Sequence, residues 1–196
     1  MSTDIDARSK KRAMLVFVGC CVMQACGLGT VLNSSSAFFA IVPAAVGVDM
    51  GVFAMWITCY GIAALFGTFF AGILIPKFGA RIVISLDVVV TALCVVAFTF
   101  ADASWTWQFM AIGAVMGLTG GMYFLYATPL LMGAWFGKKV LGRYLGIAQL
   151  MSGVGGALFP LVFTSLSTVM GWQSAYYLNA ILLPSGGKVF VDGIDT

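Results

Sequence analysis

The chain has no histidine, and only 9% of its residues are charged. The first absence removes the commonest metal ligand and the commonest general base. The second removes a water-soluble domain, whose surface needs far more charge. Cysteine is scarce and badly placed for a metal. Cys20, Cys21, Cys26, Cys59 and Cys94 all lie in apolar stretches, with no CxxC pair among them. They read as small packing residues rather than as a zinc or redox site. No GxxxxGK[ST] phosphate loop occurs, so ATP binding has no support. No nucleophile–base pair and no cofactor loop stands out. The expectation is a non-enzyme with no cofactor and no metal.

What is present is apolar. Hydrophobic residues make up 61% of the chain, and mean hydropathy is +1.04. Nine of the ten Lys and Arg residues fall in three clusters: Arg8/Lys10/Lys11/Arg12, Lys77/Arg81 and Lys138/Lys139/Arg143. Two apolar stretches separate each cluster from the next. Every cluster therefore falls on one side of a bilayer, and the short loops on the other side carry no Lys or Arg. This positive-inside pattern predicts a multi-pass protein of the cell membrane with a cytoplasmic N-terminus. The net charge of +3 then marks topology rather than a nucleic-acid partner. The bilayer, and its anionic headgroups, are the expected contacts.

A membrane helix needs about 20 apolar residues. On that basis the chain divides into a basic segment 1–12, a transmembrane domain 13–184 and a tail 185–196. Spans are predicted at about 14–40, 52–75, 81–101, 107–136 and 143–170, with a partial sixth at 171–184. Met14 to Leu32 is too long for a signal peptide and is followed by further spans, so it reads as the first membrane helix. Pro43 and Asp49 mark an outer loop, 76–80 an inner turn, 102–106 a second outer loop and 137–142 a second inner loop. Trp105, Trp107, Trp135 and Trp172 fall at span ends, where interfacial aromatics belong. The sixth span meets Pro184 early, and the polar, alternating tail with its Asp-Gly turn signal reads as a soluble β-segment. Such a break suggests a truncated or spliced chain. The fold class is all-α, a polytopic helix bundle.

Polar residues inside spans are costly unless they face protein or a wet cavity. In span 1, Cys26, Gly29, Thr30, Asn33 and Ala37 form one small, partly polar stripe, with Gln24 elsewhere at similar depth. Interhelical glue and cavity lining are both open for this stripe. In span 4, Gly113, Gly117, Gly120 and Gly121 share one face. Thr119, Tyr123 and Tyr126 lie nearly opposite, where they suit a polar cavity. Span 5 offers Gln149 among many glycines. The substrate-cavity candidates are thus Gln24, Thr30, Asn33, Thr119, Tyr123, Tyr126 and Gln149. Asp87 is the acidic residue deep in a span, about 9 Å along the helix from Arg81. An ion pair with Arg81 or Arg143 is the favoured expectation, and proton coupling the sharper one.

The inner turn Gly72-Ile-Leu-Ile-Pro-Lys-Phe-Gly-Ala-Arg81 resembles the loop 2–3 signature G-x-L-x-D-R-x-G-R-R of the major facilitator superfamily. Gly72, Leu74, Lys77, Gly79 and Arg81 match or are conservative. Pro76 replaces an acidic residue that in the family helps latch two halves together, and Ala80 replaces a basic one. Asp87 is a candidate substitute for that acid. Trp135 to Gly146 looks like the loop 4–5 segment of oxalate/formate antiporter-like and monocarboxylate-transporter-like members. Gly171-Trp-Gln-Ser-Ala-Tyr-Tyr resembles the family's entry to span 6. The span 5 antiporter signature is not reproduced, since Pro160 follows Gly155-Gly156. The resemblance implies an N-terminal six-helix half whose missing C-terminal half completes the substrate site. It implies transport of a small organic anion, such as a monocarboxylate, by alternating access. A coupling proton or counter-anion would be a second partner. A non-transporting scaffold or assembly subunit is the alternative.

Overall fold

The computed structural model describes residues 2–101 and 106–195, with side chains described for 10, 12–39, 41–101 and 106–184. Trp105, most of the second outer loop, and the side chains of Arg8, Lys11 and Lys188 lie outside the described residues. Among the described residues all regular structure is helical, joined by short turns and loops. Five helices are long and apolar enough to cross a membrane: Arg12–Phe39, Met50–Phe78, Ala80–Phe100, Trp107–Trp135 and Lys138–Met170. The chain is an all-helical membrane bundle.

Span 1 comprises α1 (Ser2–Cys26), a π-helical segment (Gly29–Asn33) and α2 (Ser35–Val46). Span 2 is α3 (Met50–Phe78). Span 3 is α4 (Ala80–Ala97), ending in a short 3-10 turn (Phe98–Phe100). Span 4 is α5 (Trp107–Gly120), a second π-helical segment (Gly121–Ala127) and α6 (Thr128–Trp135). Span 5 is α7 (Lys138–Met170), and α8 (Trp172–Asp195) follows it.

The helices run further than the punctuation residues suggest. Pro43 lies inside α2, which ends at Gly47 with φ +77°. Pro76 lies inside α3, and the inner turn 76–80 shrinks to Gly79 alone. Likewise α7 starts at Lys138, so the second inner loop is shorter than 137–142. The β reading of the tail also gives way, because α8 stays helical through Pro184 to Asp195. A lone alternating stretch has no partner strand among the described residues. A helix satisfies the same backbone groups within itself.

The second three helices repeat devices of the first. Spans 1 and 4 are each interrupted by a π segment. Spans 2 and 3 are joined through Gly79 (φ 85°, ψ 145°), and α7 and α8 through Gly171 (φ 88°, ψ 157°). Each glycine donates its N–H four residues back, Gly79 to Ile75 at 2.9 Å and Gly171 to Ser167 at 3.2 Å. Because each repeat has three spans, the second enters the bilayer from the opposite side.

Packing centres on two seams. The most extensive joins α3 to α5. A methyl group at Gly113, Gly117 or Gly121 would strike the backbone carbonyl of Trp56, Tyr60 or Ala64, and one at Gly67 would strike that of Leu118. Glycine on both helices is what allows this approach. In the second seam span 1 meets α7, where Gly29 packs against Gly155 and Ser152. An aromatic cluster closes the end near Asp49: Phe53 and Phe109 lie 5.4 Å apart, Trp56 and Phe98 5.5 Å, Phe38 and Tyr176 4.3 Å. The outer flank of α3 presents Leu65, Phe66 and Phe69 outward, a surface suited to lipid tails.

Candidate functional site

The two π segments organise the polar residues of the bundle interior. A π turn widens the backbone and frees carbonyl groups, and such bulges concentrate at functional sites. In span 1 the Ser34 hydroxyl donates to the Gly29 carbonyl at 2.7 Å, and Asn179 Nδ2 of α8 donates to the Thr30 carbonyl at 3.4 Å. In span 4 the Thr68 hydroxyl approaches the Gly121 carbonyl at 3.4 Å, and Gln24 Nε2 donates to the Phe124 carbonyl at 3.1 Å. Three of these four bonds come from another span. Gln24 also donates to Thr128 Oγ1 at 3.0 Å, so span 1 grips span 4 just where its helix is irregular.

The candidate residues divide by accessibility. Gln24, Thr30, Thr119 and Tyr123 are buried within this bundle. Thr30 Oγ1 donates to its own helix, to the Cys26 and Gly27 carbonyls. Thr119 pairs with Thr91 of span 3 at 2.7 Å. The Tyr123 ring is fully buried, and its hydroxyl has no hydrogen-bond partner. Asn33, Tyr126 and Gln149 keep accessible surface. Asn33 Nδ2 donates to the Ser152 carbonyl at 2.9 Å, and Ser152 Oγ donates to the Gln149 carbonyl at 2.8 Å. Asn33 therefore reaches span 5 about one helical turn from Gln149. Tyr126 lies apart, beside Gly72 of span 2.

Asp87 is placed differently from the expected ion pair and latch. Its side chain is 3% exposed, and Oδ2 accepts no hydrogen bond. It shares the inward face of α4 with Ile84 and Thr91 and lies within electrostatic range of Tyr123. Arg81 and Arg143 are exposed. A carboxyl about 12 Å up the helix from Gly79 and turned into the bundle is badly placed to replace the acid missing at Pro76.

The loop 2–3 residues do come together at one end. Leu74 packs beside the small cluster of Ala71, Ile75, Val83 and Met122, which also receives Tyr126. Gly79 makes the turn, Arg81 opens α4, and the Lys77 ammonium sits 5.5 Å above the Phe78 ring. Sequence reasoning missed Asn179, Thr68 and Thr91. Their signal was polarity inside apolar runs, but the carbonyls they serve belong to distant parts of the chain.

A bundle of membrane spans with two repeats and this inner turn has a counterpart among known families. The family model described as Major Facilitator Superfamily matches residues 25–187. The chain belongs to that superfamily. That superfamily is one of transporters rather than of enzymes. Relatives in this superfamily include two proteins named "Membrane sensor protein UhpC". The one from Salmonella typhimurium is 24% identical over 145 residues, covering 72% of this chain. The one from Escherichia coli is 23% identical over 130 residues, covering 64% of it. The aligned regions span 30% and 27% of the length of those relatives.

Proposed function

We propose that this chain forms one half of a secondary transporter that moves a small organic anion, such as a monocarboxylate, by alternating access. The observation that carries the reading is the matched pair of π segments in spans 1 and 4. Each gives a membrane-spanning helix a bendable, polar section at depth, as a rocking transporter needs. Asn33, Tyr126 and Gln149 face the substrate path, because they are polar and accessible. Gln24, Thr30, Thr119 and Tyr123 shape the helices behind them. The loop 2–3 turn, Gly72 to Arg81, gates the cytoplasmic side. A second half, packed on the exposed faces of this one, completes the cavity. A proton or a counter-anion drives the cycle.

Uptake by proteoliposomes holding the full-length protein tests this. Labelled monocarboxylates should accumulate and exchange with unlabelled ones. Asn33→Ala, Tyr126→Phe and Gln149→Ala should each raise KM about two- to tenfold, the worth of one hydrogen bond. Unchanged KM in all three would remove these residues from the path.

The names of the relatives favour a second reading, a membrane sensor that binds its small molecule without moving it. Saturable binding to the purified protein with no uptake or exchange would select that reading.

A further inference from the structure

One interior cavity lies between spans 1, 2, 3 and 4 and α8, near the end that carries Asp49. It measures about 10 Å³, and its walls include Val31, Phe98, Met116 and Tyr176. Every wall residue is at most 6% exposed. Such a space is close to the ~10–15 Å³ that a single water needs as a probe-sized sphere, and it is too small for any larger ligand. An apolar cavity of this size would stay dry. Trp56 and Asn179, together with the phenol of Tyr176, give this wall polar groups.

Trp56 and Asn179 are complementary. Trp56 Nε1 is a buried donor with no partner, and Asn179 Oδ1 is a buried acceptor with no partner. Indole nitrogen can only donate, and an amide oxygen can only accept. A buried polar group without a partner is costly, and native structures almost always supply one. One water accepts from the indole N–H through its oxygen and donates to the amide oxygen through a hydrogen. A single molecule thus satisfies both groups at once.

We propose that this cavity is a structural water site that bridges Trp56 of span 2 to Asn179 of α8. The same Asn179 amide already holds the Thr30 carbonyl of the span 1 π segment at 3.4 Å. The water therefore turns a two-helix contact into a three-way junction at that irregular turn. It also explains why an asparagine occupies a position walled mostly by apolar and aromatic side chains.

The test uses the full chain in lipid nanodiscs with ¹⁵N-indole tryptophan. Trp56→Phe identifies the Trp56 indole signal among those of the five tryptophans. In the wild type that indole proton should show a magnetisation-transfer peak to a long-lived water. In Asn179→Leu the peak should be lost. A wild-type spectrum without the peak would overturn the proposal, as would a peak that survives Asn179→Leu. If Asn179→Leu does not fold, the wild-type spectrum still decides. Melting temperatures give an independent reading. Trp56→Phe and Asn179→Leu should together lower Tm by less than the sum of their separate effects. Additive effects would contradict a shared water.

Discussion

Gln24 does more structural work than its polarity suggests. Its amide nitrogen satisfies the Phe124 carbonyl and reaches Thr128. Gln24→Leu should destabilise the bundle by about 1–3 kcal/mol, because it orphans a carbonyl in the span 4 π segment. The value should fall toward the lower end, since Gln24 Oε1 is itself unpartnered. Thermal unfolding in detergent would read this, and an unchanged Tm would show that the carbonyl finds another donor. Glycine gives a sharper pair of tests. Gly117→Ala drives a methyl against the Tyr60 backbone carbonyl, and backbone cannot move aside as a side chain can. A loss of about 1–3 kcal/mol is expected from overpacking. Gly133→Ala meets open space and should be neutral or stabilising by up to ~1 kcal/mol. Equal effects from the two would mean that the α3–α5 seam is looser than its geometry implies.

Elements are fixed partly by glycine and partly by contacts that lie far away in sequence. Gly79 and Gly171 both adopt a backbone conformation open almost only to glycine. Gly79→Ala and Gly171→Ala should each cost about 1–3 kcal/mol. Comparable losses of Tm at the two sites would support their equivalence in the two repeats. The spans and the glycine seam were legible from the chain alone, because basic clusters and four-residue glycine spacing are local patterns. The π segments were not legible. Nothing local to 29–33 or 121–127 announces them, since their carbonyls are served by Asn179, Thr68 and Gln24 from other spans. Proline misled for a related reason: Pro43, Pro76 and Pro184 read as breaks, yet each sits inside a helix. The inward turn of Asp87 was hidden too, because depth along a helix can be read from sequence more easily than the side on which tertiary packing places a carboxyl.

At the scale of the whole molecule, the arrangement of basic residues sets a testable orientation. Lys77 and Lys138 lie at the two helix ends flanking Gly79 and Gly137, with an even number of spans between them. Ala45 and Asp49 lie at the opposite end of the bundle. Positively charged loops stay on the cytoplasmic side because moving them across the bilayer is unfavourable. In a version lacking its five native cysteines, single cysteines at Lys77, Lys138 and Ala45 would report the sidedness. A membrane-impermeant thiol reagent on intact cells should label the cysteine at Ala45 strongly. It should reach those at Lys77 and Lys138 only after permeabilisation. The reverse pattern would invert the protein and make Gly72 to Arg81 an outer gate. Labelling also bears on mechanism. If spans 1 and 4 bend at their π segments, a cysteine at Asn33 should change its reaction rate when substrate is added. Rates at Ala45 and Lys138, at the ends of α2 and α7, should hold still. A change at all three positions would point to general loosening of the bundle, and no change at Asn33 would leave the π segments as static irregularities rather than hinges.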